Sequence, residues 1–73
     1  MNIKKQLEAV FYFLNNTDGE IKEYQLNYLF GLTKHADKEI TEEDIEYLSE
    51  LIECGDRNNN VDLFVKYIID GGF

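Results

Sequence analysis

The chain has 73 residues, 44% of them hydrophobic with five Phe and five Tyr, enough for one small domain whose folding hides only about 60% of its unfolded surface. Fifteen Asp and Glu against seven Lys and Arg give a net charge of −8, a sign that repels phosphate backbones and argues against direct nucleic-acid binding. The single Cys54 rules out an internal disulfide, and with no leader-like segment and no apolar run approaching about 18 residues the expected setting is a reducing cytoplasm without membrane contact.

Proline is absent, and chain breakers gather at Asn15–Gly19, Thr33–Glu39 and Gly55–Asn60, dividing the chain into four segments. Ile3, Leu7, Val10, Phe11 and Leu14 recur at helical spacing and predict a first helix over Ile3–Leu14. A second runs from about Lys22 to Leu32, where Tyr24, Leu26, Tyr28, Leu29, Phe30 and Leu32 are dense and Gly31 weakens the end. The third has the clearest start signal: Thr41 and Asp44 make a capping box, and Ile40 and Ile45 a hydrophobic staple. It is expected to run from Glu42 to about Glu53, its acidic first turn favoured by the helix dipole and Cys54-Gly55 acting as the stop. The fourth starts near Asn60, carries Val61, Phe64, Val65, Ile68 and Ile69, and ends at Gly71-Gly72, with Phe73 docking or fraying beyond it.

The expected fold is therefore all-α: a compact four-helix domain spanning residues 1–73, made of two helical hairpins. They would pack through Leu7, Val10, Phe11, Leu14, Leu26, Leu29, Ile45, Leu48, Ile52, Phe64 and Ile68. Tyr12, Phe13, Tyr47, Tyr67 and Phe73 fall outside these stripes and give spare apolar surface that a symmetric homodimer would bury.

Charge is unevenly spread. Glu39, Glu42, Glu43, Asp44, Glu46, Glu50, Glu53 and Asp56 lie together with no Lys or Arg among them, and the other seven acids are matched by the seven bases. On a helical wheel Ile45, Leu48, Leu51 and Ile52 share one sector while Glu42, Glu43, Glu46, Glu50 and Glu53 take the opposite one. Such a row sets like charges at i,i+3 and i,i+4, costing roughly 0.2–0.5 kcal/mol per pair. A helix selected only for stability would intersperse lysines; an ordinary solvated face that keeps a small protein soluble is the plain alternative.

Helix, Asn-Asp-Gly turn, isoleucine and helix is also the order of an EF-hand, and the chain resembles a degenerate EF-hand pair. With Gly19 at the sixth loop position, Asn16, Asp18 and Ile21 take the third, fifth and eighth, but Leu14 and Gln25 stand where anionic ligands belong. In the second half Asp56, Asn58 and Asn60 fit the first, third and fifth positions, yet Val61 replaces the turn glycine and Tyr67 the bidentate glutamate. The resemblance implies a short strand contact between Ile21 and Val61, and a regulatory module that takes a partner helix in an apolar groove. With the anchor ligands missing, no metal or other cofactor is expected.

Catalytic groups are sparse. One Cys and one His, Cys54 and His35, permit a dyad on paper, but a lone Cys at a helix end and a lone His in a polar connector read as packing and solvation. Carboxylates on an open helix face lack the concave site that separates acid and base pKa values, and no phosphate-cradling glycine loop occurs. No catalytic residue is assigned, and a non-enzymatic binding protein is expected.

A stiff row of carboxylates can enter a basic channel built for DNA, because both ligands present spaced anions and are drawn by the same field. In size, charge and lack of catalytic groups the chain resembles the small acidic phage products that shut down host replication, transcription or defence by mimicking DNA. That resemblance implies a bacterial DNA-binding or replication protein as partner, in the host cytoplasm. Gln25-Leu26-Asn27-Tyr28-Leu29-Phe30 further resembles the peptide that grips the bacterial sliding clamp, a glutamine followed after a short spacer by Leu-Phe. Gln25 would then sit at the pocket edge and Leu29 and Phe30 would fill it, with a spacer one residue longer than the commoner form, making the clamp the expected target. An immunity or antitoxin-like protein that caps a basic toxin would use the same acidic face.

Overall fold

The computed structural model describes residues 2–17, 19–53 and 57–72. Its helices are α1 (Ile3–Asn16), α2 (Glu23–Gly31), α3 (Glu42–Glu53) and α4 (Arg57–Asp70), and no strand occurs among the described residues. The all-α four-helix architecture expected from the apolar periodicity is the one formed.

Local chemistry sets the helix ends. Asn2 caps α1 by accepting the Lys4 N–H at 2.9 Å. The chain leaves α1 through Gly19, whose φ of 71° lets its N–H reach back to the Leu14 carbonyl at 2.8 Å. Lys22 precedes α2 with no side-chain oxygen to offer, and the Gln25 amide oxygen instead accepts the Lys22 N–H at 2.8 Å. At α3 the expected box is complete: Thr41 Oγ1 accepts the Asp44 N–H at 3.2 Å, and Asp44 Oδ2 accepts the Thr41 N–H at 3.0 Å.

α4 begins at Arg57, ahead of the expected start near Asn60. Asn58, Asn59 and Asn60 are weak helix formers, but tertiary context overrides propensity: Asn60 is buried and its Nδ2 donates to the Leu51 carbonyl of α3 at 3.0 Å. Asn58, Asn60 and Val61 therefore lie inside a helix and the second EF-like loop does not form. Nor does the Ile21–Val61 strand contact. Ile21 places both backbone groups on Ser49 instead, its N–H donating to Oγ at 3.0 Å and its carbonyl accepting from the hydroxyl at 3.4 Å. The Cys54-Gly55 stop, Asp18, Asp56 and Phe73 lie outside the described residues.

The helices meet around α4, which packs against each of the others; α1 packs on α4 and α3, and α2 rests chiefly on α4. At the centre Phe11 meets Phe64 edge-on at 5.4 Å, among Leu7, Leu14, Leu26, Leu48, Ile52 and Ile68, none more than 1% exposed. Val10 and Ile45, expected in this core, are half-buried at its margin. Ile21, Phe30, Val61, Val65 and Tyr67 join it instead. The radius of gyration is 10.9 Å, against the roughly 11 Å of a well-packed chain of this length.

Candidate functional site

α3 divides its side chains by face. Leu48, Ile52 and Asp44 are buried, while Glu42, Glu43, Glu46, Glu50 and Glu53 are all exposed. The helix is tied down along its length by the Thr41 box at its start and the Ser49 clip to Ile21 in its middle. At its end the Leu51 and Ile52 carbonyls accept from Asn60 Nδ2 at 3.0 Å and Asn15 Nδ2 at 2.6 Å. The last two bonds satisfy carbonyls that a helix C-terminus leaves open, so the glutamate row stands on a backbone anchored to α1, α4 and the α1–α2 connector.

Beneath the row lies a network that sequence reading took only for a helix cap. Asp44 is 3% exposed, and a carboxylate so placed is costly unless paired and hydrogen-bonded. Its Oδ2 accepts from the Thr41 N–H at 3.0 Å, the Thr41 hydroxyl at 3.1 Å and Lys38 Nζ at 2.9 Å, and its Oδ1 accepts from the Tyr67 hydroxyl. Burial pushes this carboxyl up, but the hydrogen bonds from Tyr67, the Thr41 backbone, Lys38 and the Thr41 hydroxyl together hold it below its ordinary range. Burial and the adjoining Asp44 carboxylate push the Tyr67 hydroxyl up. Lys38 Nζ also stands 5.5 Å from the centre of the Phe30 ring. Thr41 and Asp44 were legible because their bond is local; Tyr67, 23 residues from Asp44, left only its position one turn beyond Phe64 as a signal.

Gln25, Leu29 and Phe30 do not make an exposed peptide. Leu29 and Phe30 are each 1% exposed, and the Gln25 oxygen is engaged at the start of α2. Offering Leu-Phe to a foreign pocket would mean lifting α2 off the core, so the clamp-peptide assignment of these residues does not hold in the folded chain. The other side of α2 is open. Tyr24 and Tyr28, one turn apart, are 69% and 60% exposed, and Phe13 of α1 is 62% exposed. With half-buried Val10 and buried Leu14 and Leu29 they surround a groove of about 400 Å³, which Gln25 completes. Among the described residues no carboxylate, ammonium or guanidinium group lines it.

Among the described residues no group of three or more His, Cys, Asp and Glu side chains is placed to hold a metal ion, and no helix is long and apolar enough to cross a membrane. His35 packs on the end of α4, where a Cβ added at Gly71 would come within 2.7 Å of its ring, and its Nε2 is buried with no hydrogen-bond partner among the described residues. Cys54, the other half of the pairing weighed above, lies outside them. No protein-family model, curated protein or solved structure matches this chain.

Proposed function

We propose that this chain is a non-enzymatic binding protein that inhibits a bacterial DNA-binding protein by laying the exposed face of α3 on the basic surface meant for DNA. The observation that carries the reading is the row Glu42, Glu43, Glu46, Glu50 and Glu53, exposed along one helix of 12 residues. From Glu42 to Glu53 the row spans roughly 16.5 Å, so its charges stand on average about 4 Å apart along the helix axis, comparable to the roughly 3.4 Å per phosphate along one strand of B-DNA. The mutual repulsion of these carboxylates in the free protein is relieved when a cationic surface covers them. Lys38, the base nearest the row in sequence on the N-terminal side, is turned inward onto Asp44 and Phe30. Anchors at the start, middle and end of α3 mean that little conformational freedom is lost on binding.

The partner class is a DNA-binding or replication protein with a basic surface. The sliding clamp belongs to it through its basic channel alone, because the Leu29-Phe30 pair that singled it out is in this protein's core. The test is capture from a bacterial lysate at low salt, elution by a salt gradient and mass spectrometry, then titration of the captured protein with wild type and the Glu43→Gln/Glu46→Gln/Glu50→Gln variant. The expected result is a DNA-binding protein released as salt rises. The triple variant should bind it about 3- to 160-fold more weakly, at about 0.2–1 kcal/mol per exposed charge pair. Affinity indifferent to salt and to the three substitutions overturns the reading, and capture of a basic toxin transfers the same face to an immunity-like protein.

A further inference from the structure

We infer that the groove between α1 and α2 seats a second copy of this chain, related by a two-fold axis. The inference is independent of the function proposed for α3. Phe13, Tyr24 and Tyr28 are 60–69% exposed around one recess, whereas the core apolar side chains are at most 6% exposed. Aromatic side chains bury about 150–250 Å² each when covered, so these three leave roughly 300–450 Å² of ring surface uncovered. A standard interface takes about 800 Å² from each partner. The rings supply roughly half of that, with the groove walls adding to it, which suits a reversible dimer at the small end of the range.

Charge selects the occupant. Each molecule carries −8, so two copies repel wherever their acids are exposed, and they meet at least cost on a face without charge. Among the described residues, those that line the groove form such a face. It is also turned away from the glutamates: Asn15 faces α3 through its bond to the Ile52 carbonyl, and Phe13 lies about 200° from Asn15 around α1. In a two-fold pair joined at the groove, α3 of each copy is on the far side of its own α1, and the acidic rows point outward. Phe13 both lines the recess and is 62% exposed, so a two-fold axis at the groove brings the Phe13 ring of each copy to the recess of the other, as a self-complementary interface requires.

Sedimentation equilibrium of the whole chain from micromolar to millimolar concentration, at low and high salt, tests this. The expected result is a reversible monomer–dimer equilibrium that tightens as salt screens the like charges. Phe13→Ser, and separately Tyr24→Ser/Tyr28→Ser, should weaken it at least tenfold, as loss of an aromatic anchor does. Because these side chains are mostly exposed, the variants should keep wild-type helix content by circular dichroism. Leu63→Ser, at a 37% exposed position on α4, should leave the equilibrium unchanged. A wild type that stays monomeric throughout overturns the inference, including the case where the groove instead takes a helix of another protein. So does a dimer broken by Leu63→Ser and indifferent to Phe13→Ser.

Discussion

One carboxylate, Asp44, closes the N-terminal box of α3, neutralises Lys38 and receives the Tyr67 hydroxyl of α4. Asp44→Ala leaves an ammonium and a hydroxyl without their acceptor and is expected to cost about 3 kcal/mol, as breaking one side of a buried pair does. Urea unfolding at neutral pH measures it. Acid acts on the same group. Its folded value lies below the ordinary one of about 3.9, so its contribution is complete above about pH 4 and is lost as pH falls through the lower folded value. Asp44→Asn should make the acid limb of the stability profile less steep. Tyr67 is the opposite case: raised in the fold, it contributes fully below about pH 10 and loses that contribution as pH rises through the higher folded value. Tyr67→Phe should remove that alkaline loss. Glycines give a paired test. Gly71 has a φ of 84° and its added Cβ would meet the His35 ring, whereas nothing lies within 4 Å of a Cβ at Gly31. Gly71→Ala should cost at least about 1–2 kcal/mol, and Gly31→Ala should stabilise by up to about 1 kcal/mol. Thermal melts of the two variants should move in opposite directions.

At the scale of elements, α3 was legible almost to the residue, because Thr41 and Asp44 bond across a single turn and leave their pattern in adjacent positions. The glutamate face was legible for the same reason: helical periodicity tells which residues share a side. It does not tell what that side meets. Phe13, Tyr24 and Tyr28 come from two helices and converge only through packing, and Tyr67, grouped from sequence with the spare aromatics, is buried against Asp44. The start of α4 was hidden because three asparagines read as a break, whereas in the fold Asn60 bonds to α3 and the segment is helical. The Ile21–Ser49 clip joins the α1–α2 connector to α3. Ser49→Ala should cost about 1–2 kcal/mol by leaving a half-buried backbone N–H unsatisfied, with protease cutting near Ile21 as the local readout. The helical Asn58 and Asn60 carry a further expectation. Millimolar calcium should leave the melting temperature unchanged, since a ligand raises it only by binding the folded state better than the unfolded one.

Over the whole molecule the charge of −8 works against the compact state, and added salt should raise the melting temperature by screening it. The same addition is expected to tighten the groove-mediated dimer and loosen the hold of α3 on a basic partner, so one titration run on three observables separates the two surfaces. The central place of α4 reaches beyond the finished fold, to synthesis. It follows α1, α2 and α3 in the chain yet packs against all of them, so those helices are made before the surface they pack on exists. At typical elongation rates α4 takes about one to three seconds to make. Until α4 docks, Leu7, Phe11, Leu26 and Leu48 lack the surface that buries them, while residues 1–56 already hold 13 acids against five bases, the full net charge of −8. Like-charge repulsion is then expected to keep unfinished molecules apart until Phe64 and Tyr67 close the core.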